Sequence, residues 1–266
     1  MSNTVSYKKA YEKKSGYTPL CKIGECSLKM LEFGIIELED GETVEYQTED
    51  KETAFIILEG YCTVKFDDQV WEKIGNRATV FDNRKAVSFY MPIDQSLVIE
   101  GNGHVKIAVC GAPIKEKTQP QLLPEEHVVL KTLGVVPYER ETSFIIDGNS
   151  NAKSLTIGEC YVTPGNWAGF PPHKHDEDNM PAECITEEVY YFLFNPKQGF
   201  AVQCLYTADG EIDEAYRVKN DELVEFPRGY HTTVSTPGYG TYFLWLMAGE
   251  YQGFNRSSDP EHAWIG

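Results

Sequence analysis

The sequence has little positive charge. Among its 266 residues, 24 are Lys or Arg and 41 are Asp or Glu, which gives a formal net charge of −17. A surface with this excess of carboxylates repels phosphate backbones and anionic lipid. We therefore expect neither nucleic acid nor a membrane as a partner.

Features of exported and membrane proteins are also lacking. No stretch approaches the roughly 20 apolar residues that a membrane-spanning helix needs, and the first residues, MSNTVSYKK, contain no apolar run of the kind found in secretory signals. The seven cysteines form no C-x-x-C pair, and their number is odd. Because a disulfide framework normally leaves no cysteine over, we expect reduced thiols and a cytoplasmic location.

Several common catalytic signatures are missing as well. The chain has no G-x-S-x-G elbow, no P-loop and no H-E-x-x-H, and Gly101-Asn102-Gly103 lacks the later glycine of a dinucleotide-binding loop. The motifs that remain are Pro171-Pro172-His173-Lys174-His175-Asp176, then Glu187-Glu188-Val189-Tyr190, then Pro227-Arg228-Gly229-Tyr230-His231.

Short runs rich in Val, Ile, Tyr, Phe and Thr alternate with dense Gly and Pro punctuation. These strand-length runs are 53–58, 61–66, 97–100, 105–109, 189–194, 200–206, 223–226 and 241–247. Few sustained helical periodicities are present, and spacings of about 8–15 residues favour antiparallel sandwiches or barrels. We predict an all-β fold.

A polar, Pro-bearing stretch near residues 112–120 predicts a linker, with domains at 1–120 and 121–266. Each half contains a strand, a turn with Gly and a returning strand, which suggests a duplicated plan despite weak similarity between residues. The histidines are unevenly placed: the first half has only His104, whereas His173, His175, His231 and His262 follow the linker, with His127 beside it.

The His-x-His segment has the geometry of a metal site. Residues i and i+2 of a strand share a face, so His173 and His175 project together while Lys174 points away. A carboxylate from the next strand and a third imidazole from a later strand would complete the ligands. A set of three nitrogens and one oxygen suits Zn, Mn, Fe, Ni or Co and leaves positions open for a substrate.

These motifs carry a family resemblance. His-x-His, a Glu that opens an apolar strand and a later Pro-x-Gly-x-His resemble the two motifs of the cupin superfamily, which are small β-barrels with an internal metal. Nearly the whole second half is similar, in motif order and spacing, to the 5-deoxy-glucuronate isomerases of myo-inositol catabolism. The matching segments are 165–167, 171–176, 187–191, 198–200, 206–207, 229–231, 237–239, 247–249 and 259–265.

The resemblance implies two cupin-like, jelly-roll β-barrels, with the metal site in the C-terminal one and no metal ligands in the N-terminal one. It implies a divalent ion, Zn or Mn above all, held by His173, His175, Glu188 and His231. The implied reaction is an aldose–ketose isomerisation that converts 5-deoxy-D-glucuronate to 5-dehydro-2-deoxy-D-gluconate. The implied partner is thus a small sugar acid, and two-fold pairing of sheet edges would give a homodimer.

Further residues are candidates around this site. Tyr190 shares the strand parity of Glu188 and enters the barrel, either as a core aromatic or as a hydroxyl in contact with substrate. Tyr190, Glu187 and a water on the ion are the candidates for proton transfer. Arg228, beside the His231 turn, is the first candidate to bind a substrate carboxylate, with Arg140 and Arg217 as alternatives.

Two departures from the family pattern are present, and the second of them falls at the rim near the pocket. Thr232 follows His231 where proline is common, and Ala168-Gly169 replaces a usual Ser-Ser. The alternative functions are another metal cupin enzyme, either a 4-deoxy uronate isomerase or a dioxygenase, and a sugar-binding cupin without activity.

Overall fold

β-strands make up nearly all the regular structure of residues 7–265, the part of the chain that the computed structural model describes. The first eleven strands are β1 (Lys8–Ala10), β2 (Gly16–Cys21), β3 (Glu32–Leu38), β4 (Thr43–Gln47), β5 (Lys51–Phe66), β6 (Gln69–Arg77), β7 (Ser88–Met91), β8 (Ser96–Gly101), β9 (Val105–Pro113), β10 (Gln121–Leu123) and β11 (Val129–Leu133). The remaining strands are β12 (Arg140–Ile146), β13 (Leu155–Val162), β14 (Trp167–Lys174), β15 (Thr186–Asn195), β16 (Phe200–Tyr206), β17 (Asp213–Lys219), β18 (Glu222–Phe226), β19 (Tyr230–Ser235), β20 (Gly240–Gly249) and β21 (Ser257–Ser258).

Helix is confined to two short 3-10 turns in these residues, Glu125–His127 and Ala263–Ile265. No helix within residues 7–265 is long and apolar enough to cross a membrane. The predicted all-β fold is confirmed.

The first half forms a sheet in the order β10-β7-β5-β9-β3-β2, to which β4, β6 and β8 attach. The 16-residue strand β5 pairs with β7 and β9 before Gly60, and with β6 and β8 after it. At Gly60 φ is +80°, and a Cβ would lie 2.0 Å from the His104 carbonyl oxygen. The turn predicted between residues 58 and 61 is therefore wrong: glycine lets one strand bend and continue instead.

The second half contains two facing sheets. One has seven strands in the order β1-β18-β15-β20-β13-β12-β11, and the other has five in the order β17-β16-β19-β14-β21. Alternate residues of β15 face opposite ways. Tyr190 and Phe192 pack toward the five-stranded sheet, whereas Val189 and Tyr191 pack toward the first half. The site described below lies between these two sheets.

The two halves share a core. Phe33 and Ile56 of the first half belong to one buried cluster with Val189, Tyr191 and Leu246 of the second. Strand pairing also crosses the predicted boundary at residue 120, because β1 pairs with β18 of the second half and β10 with β7 of the first. The domain boundary at 120/121 stays a prediction, and each half contributes one strand to a sheet of the other half.

The cysteines depart from the expectation of fully reduced thiols. Cys21 and Cys26 form a disulfide with their Cα atoms 5.5 Å apart. A tight turn between them, in which the Lys22 carbonyl accepts hydrogen bonds from the amides of Glu25 and Cys26, brings the two side chains together. The expectation is wrong for this pair, whereas the other five cysteines are free thiols.

Candidate metal centre

The four predicted metal ligands lie on three strands or directly after one of them. His173 on β14 and His231 on β19 are direct cross-strand partners in the five-stranded sheet. Glu188 projects from β15 of the opposing sheet, and His175 lies one residue beyond the end of β14. All four side chains are buried, and the two sheets thus supply donors from opposite sides of one interior space.

The structure brings three of these four residues into one cluster. The Glu188 Oε2 atom lies 3.0 Å from His175 Nε2 and 3.1 Å from His231 Nε2. One ligand atom from each of His175, Glu188 and His231 lies within 4.8 Å of the others. His173 stands beside this cluster, with its ring centroid 4.5 Å from that of His231 and 6.4 Å from that of His175.

Backbone carbonyls orient all three imidazoles. The Nδ1 atom of His175 lies 2.7 Å from the Thr186 carbonyl oxygen, and those of His173 and His231 lie 3.3 Å from the oxygens of Gly169 and Gly229. A carbonyl oxygen can only accept, so each Nδ1 carries the proton in these contacts, and each Nε2 presents a lone pair when its ring is neutral. This is the arrangement in which protein histidines bind metal ions.

His231 Nε2 gives the clearest sign of a missing partner. It is buried without a hydrogen-bond partner within residues 7–265, because the nearby Glu188 oxygen is not aligned for a hydrogen bond. Imidazole lone pairs that converge on a carboxylate repel it unless a cation lies between them. The donor set therefore fits a divalent ion.

Burial and mutual contacts shift the pKa values of the cluster. Burial alone would raise the pKa of Glu188, but the hydrogen bond with His175 and the nearby imidazole of His231 outweigh burial and lower the pKa below the usual value. Burial, followed by the charges of His231 and Arg256, lowers the pKa of His173 well below 6.5. For His175, burial opposes protonation, but the hydrogen bond to Glu188 prevails and raises the pKa. A carboxylate anion and a neutral His173 are thus available near neutral pH.

A largely apolar pocket surrounds the cluster. Its wall includes Phe243, Trp245, Met247, Phe254 and Leu133, and its polar groups beside the cluster are Arg140, Thr142, Cys160, Tyr190 and Arg256. Apolar walls lower the local dielectric constant, so they strengthen electrostatic interactions with any polar ligand inside.

Tyr190 lies in this pocket on the same face of β15 as Glu188. Its ring stacks on Phe243 with a centroid distance of 4.4 Å and lies 5.8 Å from the ring of His231. Burial, reinforced by the negative charge of Glu188, raises the pKa of the Tyr190 hydroxyl well above 10. The phenol therefore keeps its proton near neutral pH and can donate it in a hydrogen bond.

Glu187 requires a correction. Its Oε2 atom accepts hydrogen bonds of 2.7 Å from the backbone amides of Lys29 and Met30, which belong to the first half of the chain. Neighbouring positions on a strand face opposite ways, so Glu187 points out of the pocket that Glu188 enters. The structure gives Glu187 a role in joining the halves, and not in proton transfer.

Arg228 also requires a correction. Its guanidinium lies on the surface and pairs with Asp209 at 3.2 Å and with Glu211 at 2.6 Å. The adjacent Gly229 turns the chain inward to His231, so Arg228 is left outside. The alternative candidate Arg217 is exposed on β17.

Two other arginines line the pocket. Arg140 is one of the alternative candidates for binding a substrate carboxylate, whereas no motif in the sequence indicates Arg256. Arg256 lies between Asn255 and Ser257, and only the path of the chain after β20 brings it to the site.

Comparison with known proteins agrees with this architecture. A family model described as the KduI/IolB family matches residues 6–265. The 5-deoxy-glucuronate isomerase of Geobacillus kaustophilus is 37% identical over 233 residues, which cover 88% of this chain and 84% of that protein. The enzyme of the same name from Bacillus subtilis strain 168 is 34% identical over 239 residues, covering 90% and 88%.

Solved structures show the same fold. An IolB-like protein from Salmonella typhimurium LT2 superposes with a TM-score of 0.93 at 29% identity, covering 97% of this chain and 98% of that one. The oxalate decarboxylase of Lactobacillus farciminis superposes with a TM-score of 0.69 at 11% identity, covering 100% and 96%. At that identity the second likeness concerns the fold alone.

Proposed function

The chain belongs to the KduI/IolB family, and we propose that it catalyses the aldose–ketose isomerisation of 5-deoxy-D-glucuronate to 5-dehydro-2-deoxy-D-gluconate. The relatives that carry this enzyme name match about nine-tenths of the chain at 34–37% identity. The observation that carries the proposal in the structure is the buried cluster of His175, Glu188 and His231, whose Nε2 atoms converge on one carboxylate.

We propose that His173, His175, Glu188 and His231 together hold one divalent ion, Zn or Mn. The support is the common orientation of the three imidazoles and the unsatisfied Nε2 atom of His231. A protein of the same fold, the oxalate decarboxylase of Bacillus subtilis, has Mn(II) centres and superposes with a TM-score of 0.63 at 13% identity. A bound divalent ion would supply Lewis-acid polarisation of the substrate carbonyl, which acidifies the adjacent C–H bond.

The isomerisation is redox-silent overall: one proton moves from C2 to C1 and another from O2 to O1. No nicotinamide, flavin or oxygen is needed. Tyr190 offers a protonated hydroxyl inside the pocket, and we propose that it donates a hydrogen bond to a substrate oxygen during this transfer. Phe243, Trp245 and Phe254 make the wall of the pocket largely apolar, which strengthens the electrostatic interactions of a polar substrate inside it.

The direct test is to strip the protein of metal, reload it with Zn or Mn, and follow 5-deoxy-glucuronate by NMR in deuterated water. We expect ketose to form, deuterium from solvent to enter at C1 and no oxygen to be consumed. Oxygen uptake would identify a dioxygenase, and faster turnover of a 4-deoxy uronate would identify the other isomerase. Sugar binding without exchange at C2 would indicate a binding protein.

A pair of histidine variants ties the activity to the cluster. His175→Gln removes a donor from the cluster, and we expect it to lose metal and turnover together. His262→Gln is the matched control, because His262 lies outside the cluster and does not line the pocket. Full activity of a metal-free His175→Gln protein would contradict the proposed site.

A further inference from the structure

We propose that Arg140 and Arg256 together bind the carboxylate of the substrate inside the pocket, at the end opposite the carbonyl that reacts. The identity of the substrate rests on the proposed function, whereas the anion site rests on the placement of the two side chains. Their role is to select uronates over neutral sugars.

Both arginines open onto the space that contains the metal ligands. Arg140 is the first residue of β12 and is buried, and Arg256 lies in the segment between β20 and β21 and is partly buried. The same pocket is lined by His173, His175 and Glu188. A ligand held by the cluster at one end would therefore have guanidinium groups within the same cavity.

The protein orients these side chains without neutralising them. Arg140 Nη1 donates a hydrogen bond of 3.3 Å to the Tyr138 carbonyl oxygen. The Arg256 guanidinium carbon lies 4.7 Å from the ring centroid of Phe254, a cation–π distance. Each contact fixes a direction for the guanidinium, and neither supplies a negative charge.

Neither side chain has an ion-pair partner within the described part of the chain, residues 7–265. The other shielded arginine of that region, Arg77, has its guanidinium 2.5 Å from Glu159. The surface residues Arg84 and Arg228 are paired too. The chain has 41 Asp and Glu residues, so a shortage of acidic side chains does not explain why these two arginines in the pocket have no ion-pair partner.

The two unpaired charges also repel each other. Burial and then the positive charge of Arg140 lower the pKa of Arg256 below its usual value. Two like charges at one partly dehydrated site are unfavourable until an anion joins them. The guanidinium fork matches a carboxylate through paired N–H···O hydrogen bonds, so a carboxylate is the ligand that this site fits.

The charge of the whole molecule favours such a site. With a net charge of −17 the protein repels an anionic substrate at long range. Local positive potential must therefore come from inside the pocket. Arg140 and Arg256, which form no internal ion pairs in the described residues, contribute to this positive potential.

The test compares 5-deoxy-glucuronate with 5-deoxy-glucose, in which a CH₂OH group replaces the carboxylate. For Arg256→Met and Arg140→Met we expect kcat/KM for the uronate to fall about 100-fold. The fall for the neutral sugar should be at least about ten times smaller, because that substrate never used the charge. Arg256→Lys should restore part of the preference, since it keeps the charge but not the fork. Arg217→Met, at an exposed arginine on β17, is the matched control and should not change the preference.

Metal content and melting temperature of each variant establish that the site is intact. Equal losses on both substrates, or an unchanged preference for the uronate, would overturn the inference. Calorimetric titration of the metal-loaded protein with 5-deoxy-glucuronate separates it from the proposed function. If wild-type protein binds the uronate without converting it and the variants lose that binding, the anion site stands and the isomerase proposal fails. If binding persists in both Met variants, or if wild-type protein binds no uronate, the anion site is refuted.

Discussion

At the scale of single residues, the neighbours Glu187 and Glu188 on β15 face opposite sides of the sheet and make different contacts. Glu188 faces the imidazoles of the cluster, and Glu187 faces the backbone amides of Lys29 and Met30. Their side chains are chemically identical and both are buried. Strand alternation alone therefore decides which carboxylate faces the proposed metal site and which one joins the halves.

This difference predicts opposite phenotypes for one substitution. Glu188→Gln removes the proposed anionic ligand, and we expect metal affinity to fall more than about 100-fold, which is beyond the range known for residues that only orient a metal ligand. Glu187→Gln weakens two hydrogen bonds to backbone amides, so we expect a loss of about 1–2 kcal/mol of folding free energy with metal content retained. Metal analysis and urea denaturation of both proteins check the pair. Loss of metal from Glu187→Gln would contradict the assignment.

Tyr190 gives a second prediction at this scale. Tyr190→Phe keeps the ring that stacks on Phe243 but removes the hydroxyl, so stability and metal content should be preserved. We expect kcat to fall about 100-fold, as is typical when a hydrogen-bond donor to a reacting oxygen is lost. Steady-state kinetics of the metal-loaded variant measure this, and a kcat equal to that of wild type would leave Tyr190 as a core aromatic only.

The histidines give a prediction for pH. The hydrogen bond to Glu188 overcomes burial and raises the pKa of His175 in the metal-free protein. Metal binding needs the Nε2 lone pair, so protons compete with the ion once the pH falls below that raised pKa. Apparent metal affinity should then weaken about tenfold per pH unit as acidity increases. The increase in melting temperature on addition of metal should accordingly be smaller at about pH 5.5 than at about pH 7.5.

At the scale of elements, the turn before β19 sets the direction of His231. The Gly229 amide donates a hydrogen bond of 2.8 Å to Asp176 Oδ2, and its carbonyl oxygen faces His231 Nδ1. Gly229 has φ +98°, and a Cβ there would lie 2.7 Å from the Tyr206 carbonyl oxygen. No other residue fits this backbone without moving the turn.

Gly229→Ala should therefore lower metal affinity as well as stability. Gly238→Ala is a matched control, since Gly238 also has positive φ, at +86°, but a Cβ there would meet nothing within 4 Å. We expect both variants to lose about 1 kcal/mol or more from backbone strain. Only Gly229→Ala should weaken metal binding, which metal titration of the two proteins would show. Equal metal affinities would mean that the turn does not position His231.

The elements also show which structural features the sequence predicts. The run 200–206 coincides with β16, and 189–194 lies inside β15, because alternation and turn residues define these strands locally. The predicted turn at Gly60 is wrong, because a glycine inside a strand is explained only by the close approach of the His104 backbone, which is a contact between distant parts of the sequence. Arg256 lacked any local pattern, and its place depends on how the chain returns after β20. Local chemistry predicts strands and ligand motifs, whereas the pocket wall depends on tertiary packing.

At the scale of the whole molecule, the two halves are joined by apolar packing and by buried polar contacts. Arg77 of the first half pairs with Glu159 of the second, which also accepts a hydrogen bond of 2.9 Å from the Tyr242 hydroxyl. The Glu52 carboxylate accepts hydrogen bonds from the amides of Lys153, Ser154 and Leu155 across the same interface. These contacts continue the core that Phe33 and Tyr191 share.

The shared core predicts that the halves unfold together. In urea, fluorescence and circular dichroism should report one coincident transition for the full chain. Arg77→Met leaves Glu159 as an uncompensated buried charge, so we expect a loss of about 3–5 kcal/mol, whereas Arg77→Met with Glu159→Leu should recover much of it because no unpaired charge remains. Glu159→Leu also removes the acceptor of the buried Tyr242 hydroxyl, so we expect the recovery to be incomplete. Two separate transitions in wild-type protein would show that the halves unfold independently. A double variant no more stable than Arg77→Met would show that the unpaired charge on Glu159 is not the source of the loss.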